Sequence, residues 1–552
     1  MSEHAIGLDF GTESVRALLV ETATGRTVAT SVASYADGVI DERLPITGQP
    51  LPPDWALQNP SDWLAGLEQT IRAVMSAAGV APASIGGIGI DFTSCTILPT
   101  AADGTPLCEI QNFRAEPHAW PKLWKHHGAE PEARRVTALA AQRGEPWLSR
   151  YGGRVSSEWL LPKALEIAEH APGVYAAADR IVEGGDWVVW RLTGILARNA
   201  CAAGYKGTWH KREGYPTPDY LEALRPGFHD LYDRKIAGAV VPPGTAVGTL
   251  TPEWATRLGL SPRTAIAAPI IDAHAAVLGG GVAQPGTFVM MMGTSTCHLL
   301  MAASERPVEG MAGVVEDGIV SGYFAYESGQ AAVGDLFAWF AHYGVPAGYQ
   351  EAAAAQDLSV QELLTAKAEG FGPATSGLLA LDWWNGNRST LGRSDVSGLM
   401  VGATLSTRPE EIFHALIEAT AYGTRAIVES FTEQNLPVTS IVAGGGLTRN
   451  ALLMQIYADV TGRAISVAGT PQASALGAAM LGAVAIDTGS GRAPSLAAVV
   501  PRMAPPPSRV YTPNEENRRQ YDIVYREYKR LYDYFGRGGN DVMSLLRRMR
   551  QR

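Results

Sequence analysis

Three short segments combine residue types suited to a phosphorylated ligand. The first is Asp9-Phe10-Gly11-Thr12-Glu13-Ser14, an acid at the end of an apolar run followed by a glycine and hydroxyls. Glycine lets a ligand approach bare backbone, and Thr and Ser hydroxyls can bond phosphate oxygens. A plain β-turn is the competing account of so short a motif. The second, Gly293-Thr294-Ser295, interrupts the apolar run of residues 287–302 in the same way. The third is AGGGLTRN, Ala443 to Asn450, whose glycines follow a short apolar run and open a helical pattern from Asn450 to Thr461. Such a turn lets a flat ligand lie on the backbone; a flexible strand-to-helix loop would look alike. A dinucleotide fingerprint is not met, because the residue three after Gly446 is Arg449.

The elements that must position these segments follow from periodicity. Residues 5–21 and 287–302 each read as a strand, a tight turn and a second strand, so a β-hairpin occurs twice, roughly half a chain apart. That spacing implies a duplicated domain rather than a short-period solenoid. At 552 residues the chain exceeds what one core usually organises, and two domains leave a cleft between them. The turn-rich stretch 240–268 sets the expected division at residues 1–261 and 262–552. Helical patterns at Pro60 to Ala78 and Pro409 to Gln434 alternate with apolar strands at Ile85 to Asp91, Ala265 to Ile271 and Ser440 to Ala443, an α/β pattern. The tail from Pro513 reads as a terminal helix followed by a frayed, solvated basic end, Leu545 to Arg552.

A formal net charge of -10 argues against a general nucleic-acid binder. Cys95, Cys108, Cys201 and Cys297 are too scattered for a metal knuckle and too few for a disulfide framework, so all are expected reduced, in the cytoplasm. His126-His127 lacks further ligands at zinc spacing. No secretory pattern opens the sequence, and the most apolar stretch, Ala265 to Ala283, is broken by Asp272, His274 and three glycines, so no membrane span is expected.

Hairpin, hairpin and glycine loop, in this order, resemble the FGGY family of carbohydrate kinases within the actin-like ATPase superfold. Gly398-Leu399-Met400-Val401-Gly402, Glu411-Ile412 and Ala415 to Glu418 resemble that family's second signature, with Ala403 departing from it. SVRALLVE, WKHH at Trp124 to His127, GGDWVVWRLTG at Gly184 to Gly194, AAGYKGTWH at Ala202 to His210 and LDWWNGNRST at Leu381 to Thr390 are similar to the branch that phosphorylates ribulose. Phe92-Thr93-Ser94-Cys95 stands where glycerol kinases carry an Arg-Glu pair.

The resemblance implies two duplicated actin-like ATPase (ribonuclease H-like) domains flanking a catalytic cleft, the first binding sugar and the second nucleotide. It implies ATP-dependent phosphorylation of the 5-hydroxyl of a ketopentose, with L-ribulose favoured. Asp272 matches the catalytic base, though capping of a helix would equally suit an acid there. Lys206, Glu327 and Ser94 match sugar contacts; surface positions are the bland alternative for the first two. Gly11, Thr12, Gly293 and Thr294 would hold phosphates, and Gly445, Gly446 and Asn450 the adenosine. Asp9 would hold Mg²⁺ through water. His274 and the tryptophans Trp124, Trp187, Trp209, Trp383 and Trp384 are read as structural. The expected partners are ATP and a small sugar, without nucleic acid or membrane, and a homodimer is kept open. The rivals are a kinase for xylulose, rhamnulose or ribitol, and a non-catalytic actin-fold ATPase with a protein partner.

Overall fold

The computed structural model describes residues 3–486 and 495–550. Strands β1 (His4–Phe10), β2 (Ser14–Glu21), β3 (Thr27–Ser34) and β4 (Ile85–Phe92) join β5 (Ala246–Thr249), β6 (Ala265–Ala267) and β7 (Ile270–Ile271) in one sheet, ordered β3-β2-β1-β4-β6-β5 with β7 beside β4. A second sheet contains β8 (Thr287–Met292), β9 (Thr296–Ala302), β10 (Gly313–Glu316), β11 (Phe324–Gln330), β12 (Ser440–Gly444), β13 (Ile465–Val467) and β14 (Arg509–Tyr511), ordered β10-β11-β9-β8-β12-β13-β14. In the first, β1 is antiparallel to β2 and parallel to β4. In the second, β8 is antiparallel to β9 and parallel to β12. The expected duplication is therefore present in the topology.

The helices that matter below are α1 (Pro60–Ala78), α2 (Ala200–Gly207), α3 (Asp272–Gly279), α4 (Pro409–Glu433), α5 (Ala451–Thr461), α6 (Ala473–Ile486) and α7 (Glu515–Gly536). In α1, Trp63, Leu67, Ile71 and Val74 recur at helical spacing and are buried, and the Asn59 side chain accepts from the Ser61 N–H at its start. Helix α6 is apolar nearly all round because it is sandwiched. A methyl group on Gly7 of β1 would lie 2.0 Å from the Ala475 carbonyl oxygen, and one on Gly89 of β4 would lie 1.9 Å from that of Ala478. Only glycine lets the helix rest directly on these strands. One continuous core unites Ala5 and Leu18 of the first sheet, Val289 and Leu299 of the second, and Ala475 and Leu476 of α6. A helical layer with its own core, drawn from Cys95 to Ile236, flanks the first sheet.

Three expectations change in detail. The apolar run from Ala265 to Ile271 is two strands, because Pro269 between them has no N–H to offer a ladder. Both strands belong to the first sheet, although they follow residue 262. Residues 545–550 of the basic end are not frayed, since Val542–Arg550 is a helix whose Met543 and Ser544 are buried; residues 551 and 552 lie outside the described residues. The Ser544 hydroxyl donates to Asp395 Oδ2 at 2.6 Å, and Arg547 donates to the Val396 carbonyl at 3.2 Å. Among the described residues no helix is long and apolar enough to cross a membrane.

Candidate active site

Strands β1 and β4 end in matching tetrapeptides, Gly7-Leu8-Asp9-Phe10 and Gly89-Ile90-Asp91-Phe92. Their parallel register pairs Asp9 with Asp91, and that of β4 with β7 pairs Asp91 with Ile270. Asp272, two residues beyond Ile270, thus completes a row of carboxylates at the carboxyl ends of adjacent strands, where open α/β sheets bind ligands. Phe10 and Phe92 stack beneath it, ring centroids 5.0 Å apart. Asp91 is fully buried, and no N–H or O–H of the described residues donates to either of its oxygens. Burial pushes its carboxyl well above the usual range, and the charges of Asp9 and Asp272 push the same way. Asp9 is raised by burial too, tempered by the neighbouring Asp91 carboxyl and by Arg16, whose Nη1 lies 3.3 Å from Asp9 Oδ2. Asp91 was not foreseen as a site residue, although the repeated glycine–aliphatic–Asp–Phe pattern signals it.

Asp272 opens α3, and its Oδ1 accepts only from the adjacent Ala273 N–H, at 2.6 Å. That bond satisfies one N–H of the first turn of α3, so the capping alternative stays open beside the catalytic one. Burial raises the Asp272 pKa to about 7, with the Asp9 and Glu327 carboxylates adding to the rise. Such a group is half ionised near neutrality and suited to accept a proton.

Lys206 on α2 and Glu327 on β11 are not surface residues. Each is only 6% exposed, and Lys206 Nζ donates to Glu327 Oε1 and Oε2 at 2.8 and 3.0 Å. Burial opposes both charges, but their mutual attraction outweighs it, holding the lysine above and the glutamate below its usual range. His274 backs the pair, its Nε2 3.5 Å from Glu327 Oε2; burial lowers its pKa to about 4, so it is a neutral structural partner. The pair lines a cavity of about 560 Å³, together with Glu158, Trp159, Asn387 and Arg388. Trp159, another residue missed from sequence, presents its ring 5.8 Å from Lys206 Nζ.

The two hairpin turns are braced from behind. Gly11 N–H donates to Ser14 O at 3.0 Å, and Gly293 N–H donates to Ser295 O at 2.9 Å. The Thr12 carbonyl accepts from Gln58 Nε2 at 2.7 Å, and its hydroxyl accepts from Trp124 Nε1 at 3.0 Å, leaving the hydroxyl proton free to donate. Trp124 is accordingly not a core residue, a correction that this contact explains. The Thr294 carbonyl accepts from Val333 and Asp335 N–H groups at 2.9 and 3.1 Å. The glycine loop rests on the second hairpin: a methyl on Gly445, at φ 94°, would lie 2.3 Å from the Met292 carbonyl oxygen. Gly445 and Gly446 are exposed. The Asn450 side chain caps α5 by accepting from Leu453 N–H at 3.0 Å and donates to Thr365 at 3.0 Å, so it fixes the loop's exit.

Ser94 follows β4 on a bend where Cys95 adopts φ 55°. The bend is held by Lys163, fully buried, whose Nζ donates to the Cys95 and Leu123 carbonyls at 2.8 and 2.7 Å. Burial depresses the Lys163 pKa to about 8. Nothing in sequence distinguishes this lysine from a surface one, because its acceptors are all backbone.

The profile described as "FGGY family of carbohydrate kinases, N-terminal domain" matches residues 4–279, and that of the C-terminal domain matches residues 288–486. The chain belongs to the FGGY family of carbohydrate kinases. Relatives in this family include a protein named ribulokinase from Geobacillus thermodenitrificans, 49% identical over 100% of this chain and 97% of its own length. Another of the same name, from Mycolicibacterium smegmatis, is 45% identical over 99% of this chain and 96% of its own length. Among solved structures, xylulose kinase from Rhodospirillum rubrum superposes with a TM-score of 0.78 at 22% identity, covering 96% of this chain and 98% of that one. Plasmodium falciparum glycerol kinase with ADP gives 0.75 at 17%, covering 96% and 97%. These likenesses establish the actin-like ATPase fold, and the family makes this chain an ATP-using carbohydrate kinase.

Proposed function

We propose that this chain transfers the γ-phosphoryl group of ATP to the 5-hydroxyl of ribulose, L-ribulose foremost. The reading is carried by the 45–49% identity, over essentially the whole chain, to relatives named ribulokinase. The buried Lys206–Glu327 pair beside a cavity supports it, since a polyhydroxylated ligand needs charged donors and acceptors converging in an enclosed pocket.

In this mechanism the sugar bonds to Lys206, Glu327 and Ser94. Attack by O5 forms the O5–P bond as the bond to the β-phosphate oxygen breaks, and the O5 proton passes to Asp272. Gly11, Thr12, Gly293 and Thr294 receive phosphate oxygens; Gly445 and Gly446 receive the adenosine, with Asn450 setting the loop's shape. A hard cation such as Mg²⁺ fits the carboxylate row, because the buried Asp91 oxygens have no donor among the described residues. Asp9, with Asp91 beside it, would hold it, and when bound it would offset phosphate charge. As a division of labour we propose residues 1–261 mainly for sugar and 262–552, with the terminal helix, mainly for nucleotide, Asp272 and Glu327 reaching the sugar from the second segment; the contact of the glycine loop with the second hairpin supports this. Four unpaired cysteines suit a reducing cytoplasm. We also retain a homodimer, supported by exposed Leu545, Leu546 and Met549, which sedimentation velocity would test.

The decisive experiment is ADP release from Mg-ATP against L-ribulose, D-ribulose, xylulose, ribitol, rhamnulose and glycerol. A ribulose with the highest kcat/KM supports the reading. A higher value for another sugar reassigns the substrate, and no stimulation by any of them would overturn sugar phosphorylation in favour of a protein-partner ATPase.

A further inference from the structure

Ring closure of a 2-ketopentose consumes O5, so a sugar phosphorylated there must be held open-chain, with a bare C2 carbonyl. That carbonyl is an acceptor only, and the matching protein group is a fixed donor at the end of the pocket away from Asp272. Arg388 meets this description. It lines the cavity shared by Lys206 and Glu327. Its Cδ lies 3.6 Å from where a methyl on Gly329 would stand, and Gly329 shares a face of β11 with Glu327. A methyl there would instead meet the Thr296 carbonyl oxygen at 2.5 Å, so only bare backbone of β11 lies beside this stem. Arg388 shares the cavity wall with Lys206 and Glu327, whereas Asp272 is not among the residues that line it.

The guanidinium carries five donors and no acceptor, yet among the described residues no carboxylate or carbonyl takes one. Its neighbours on the loop are fastened: Thr390 bonds the Tyr532 hydroxyl of α7 at 2.7 Å, and Arg393 Nη1 donates to the Gly536 carbonyl at 3.0 Å. The loop thus presents an exposed guanidinium with no hydrogen bond of its own among the described residues, within the field of the Glu158 and Glu327 carboxylates that line the same cavity. We propose that Arg388 is a specificity-determining residue whose guanidinium receives the C2 carbonyl and C1 hydroxyl of the open-chain ketose. This inference rests on the ribulose reading above.

The test compares ribulose with ribitol, its C2 alcohol, as substrate or competitive inhibitor of the full-length enzyme with Mg-ATP. Arg388→Met should raise the KM for ribulose about 10- to 100-fold, with kcat changed much less, and should raise the KM or Ki of ribitol by at least about tenfold less. Arg388→Lys keeps a charge without the fork and should recover only part of the loss. In the wild type, ribulose should protect Arg388 from phenylglyoxal, read by peptide mass spectrometry, which settles the matter even where a variant misfolds. An unchanged KM, equal losses on the two ligands, or modification undiminished at saturating ribulose would overturn the inference. Wild-type enzyme that phosphorylates no ribulose would overturn the functional reading first, before any variant is made.

Discussion

Lys206 and Glu327 can be removed singly or together, and the two operations should differ sharply. At 2.8 Å their attraction is worth about 6 kcal/mol at an effective dielectric of about 20. Desolvation of two ions costs a similar several kcal/mol, so the intact pair is close to neutral for stability. Lys206→Met removes the attraction but leaves Glu327 buried, with only a neutral His274 and the more distant Arg388 charge for company. The expected loss is about 3–5 kcal/mol, or a fall in melting temperature of roughly 3–4 °C for a 552-residue chain with about 2.1 cal/mol/K of unfolding entropy per residue. Glu327→Leu strands the lysine in the same way. The double variant should melt near the wild type, because neither charge is left without a partner. It should still lose ribulose turnover by about 10²- to 10⁴-fold, since two charge-assisted contacts to the sugar are gone. Melting curves and kcat/KM for ribulose on the four proteins decide the matter. Single variants as stable as the wild type would show that cavity water already solvates the pair, and a double variant within tenfold of wild-type activity would refute its role in sugar binding.

Asp272 must be ionised to accept a proton, so with its pKa raised to about 7 kcat/KM should fall about tenfold per unit as pH drops below 7 and level off above it; a flat profile between about pH 5.5 and 8 would sink the assignment. Asp91 has a folded pKa raised above its unfolded value, so its ionisation costs stability above about pH 4 and not below. Asp91→Asn should accordingly raise the melting temperature at pH 7 without magnesium, the gain vanishing toward pH 3, while weakening Mn²⁺ binding followed by electron paramagnetic resonance. A variant that melts lower at pH 7 would contradict this sign. Ending the chain at Asn540 removes the helix that holds Asp395 and Val396, and should raise the sugar KM roughly tenfold with the ATP KM unaffected; equal effects on both would refute a local role.

What could be read in the sequence was whatever sits in a local pattern. The hairpins were legible because a continuous apolar run is broken by small turn residues, and the strands β1, β2, β8 and β9 fall where that break predicts. The glycine loop was legible because Gly445 must tolerate the Met292 carbonyl at a distance no side chain allows. What escaped depends on register and on distant chain. Trp159 meets Lys206 only once the helical layer has folded against α2, and Arg388 reaches the cavity by a loop whose anchors, Tyr532 and Gly536, lie far along the chain. Lys163 was invisible for another reason, since carbonyl acceptors leave no complementary residue to notice.

The carboxylate row explains why so much of the first sheet is glycine and acid. Gly7 and Gly89 admit α6, the core's common layer, while Asp9 and Asp91, two residues on, stand paired at the strand ends, so the same tetrapeptide serves packing at one end and chemistry at the other. Three acids on adjacent strand ends would repel strongly if all were ionised and buried. The fold tolerates them because burial holds all three carboxyls above their usual range, Asp272 at about 7, so that they are not all ionised at once. Stability forgone at this edge is stabilisation still available to a bound cation or to an entering proton. The apolar layer of α6 and the neutral-to-stability Lys206–Glu327 pair carry no such deficit, which confines the poise for binding to the strand ends.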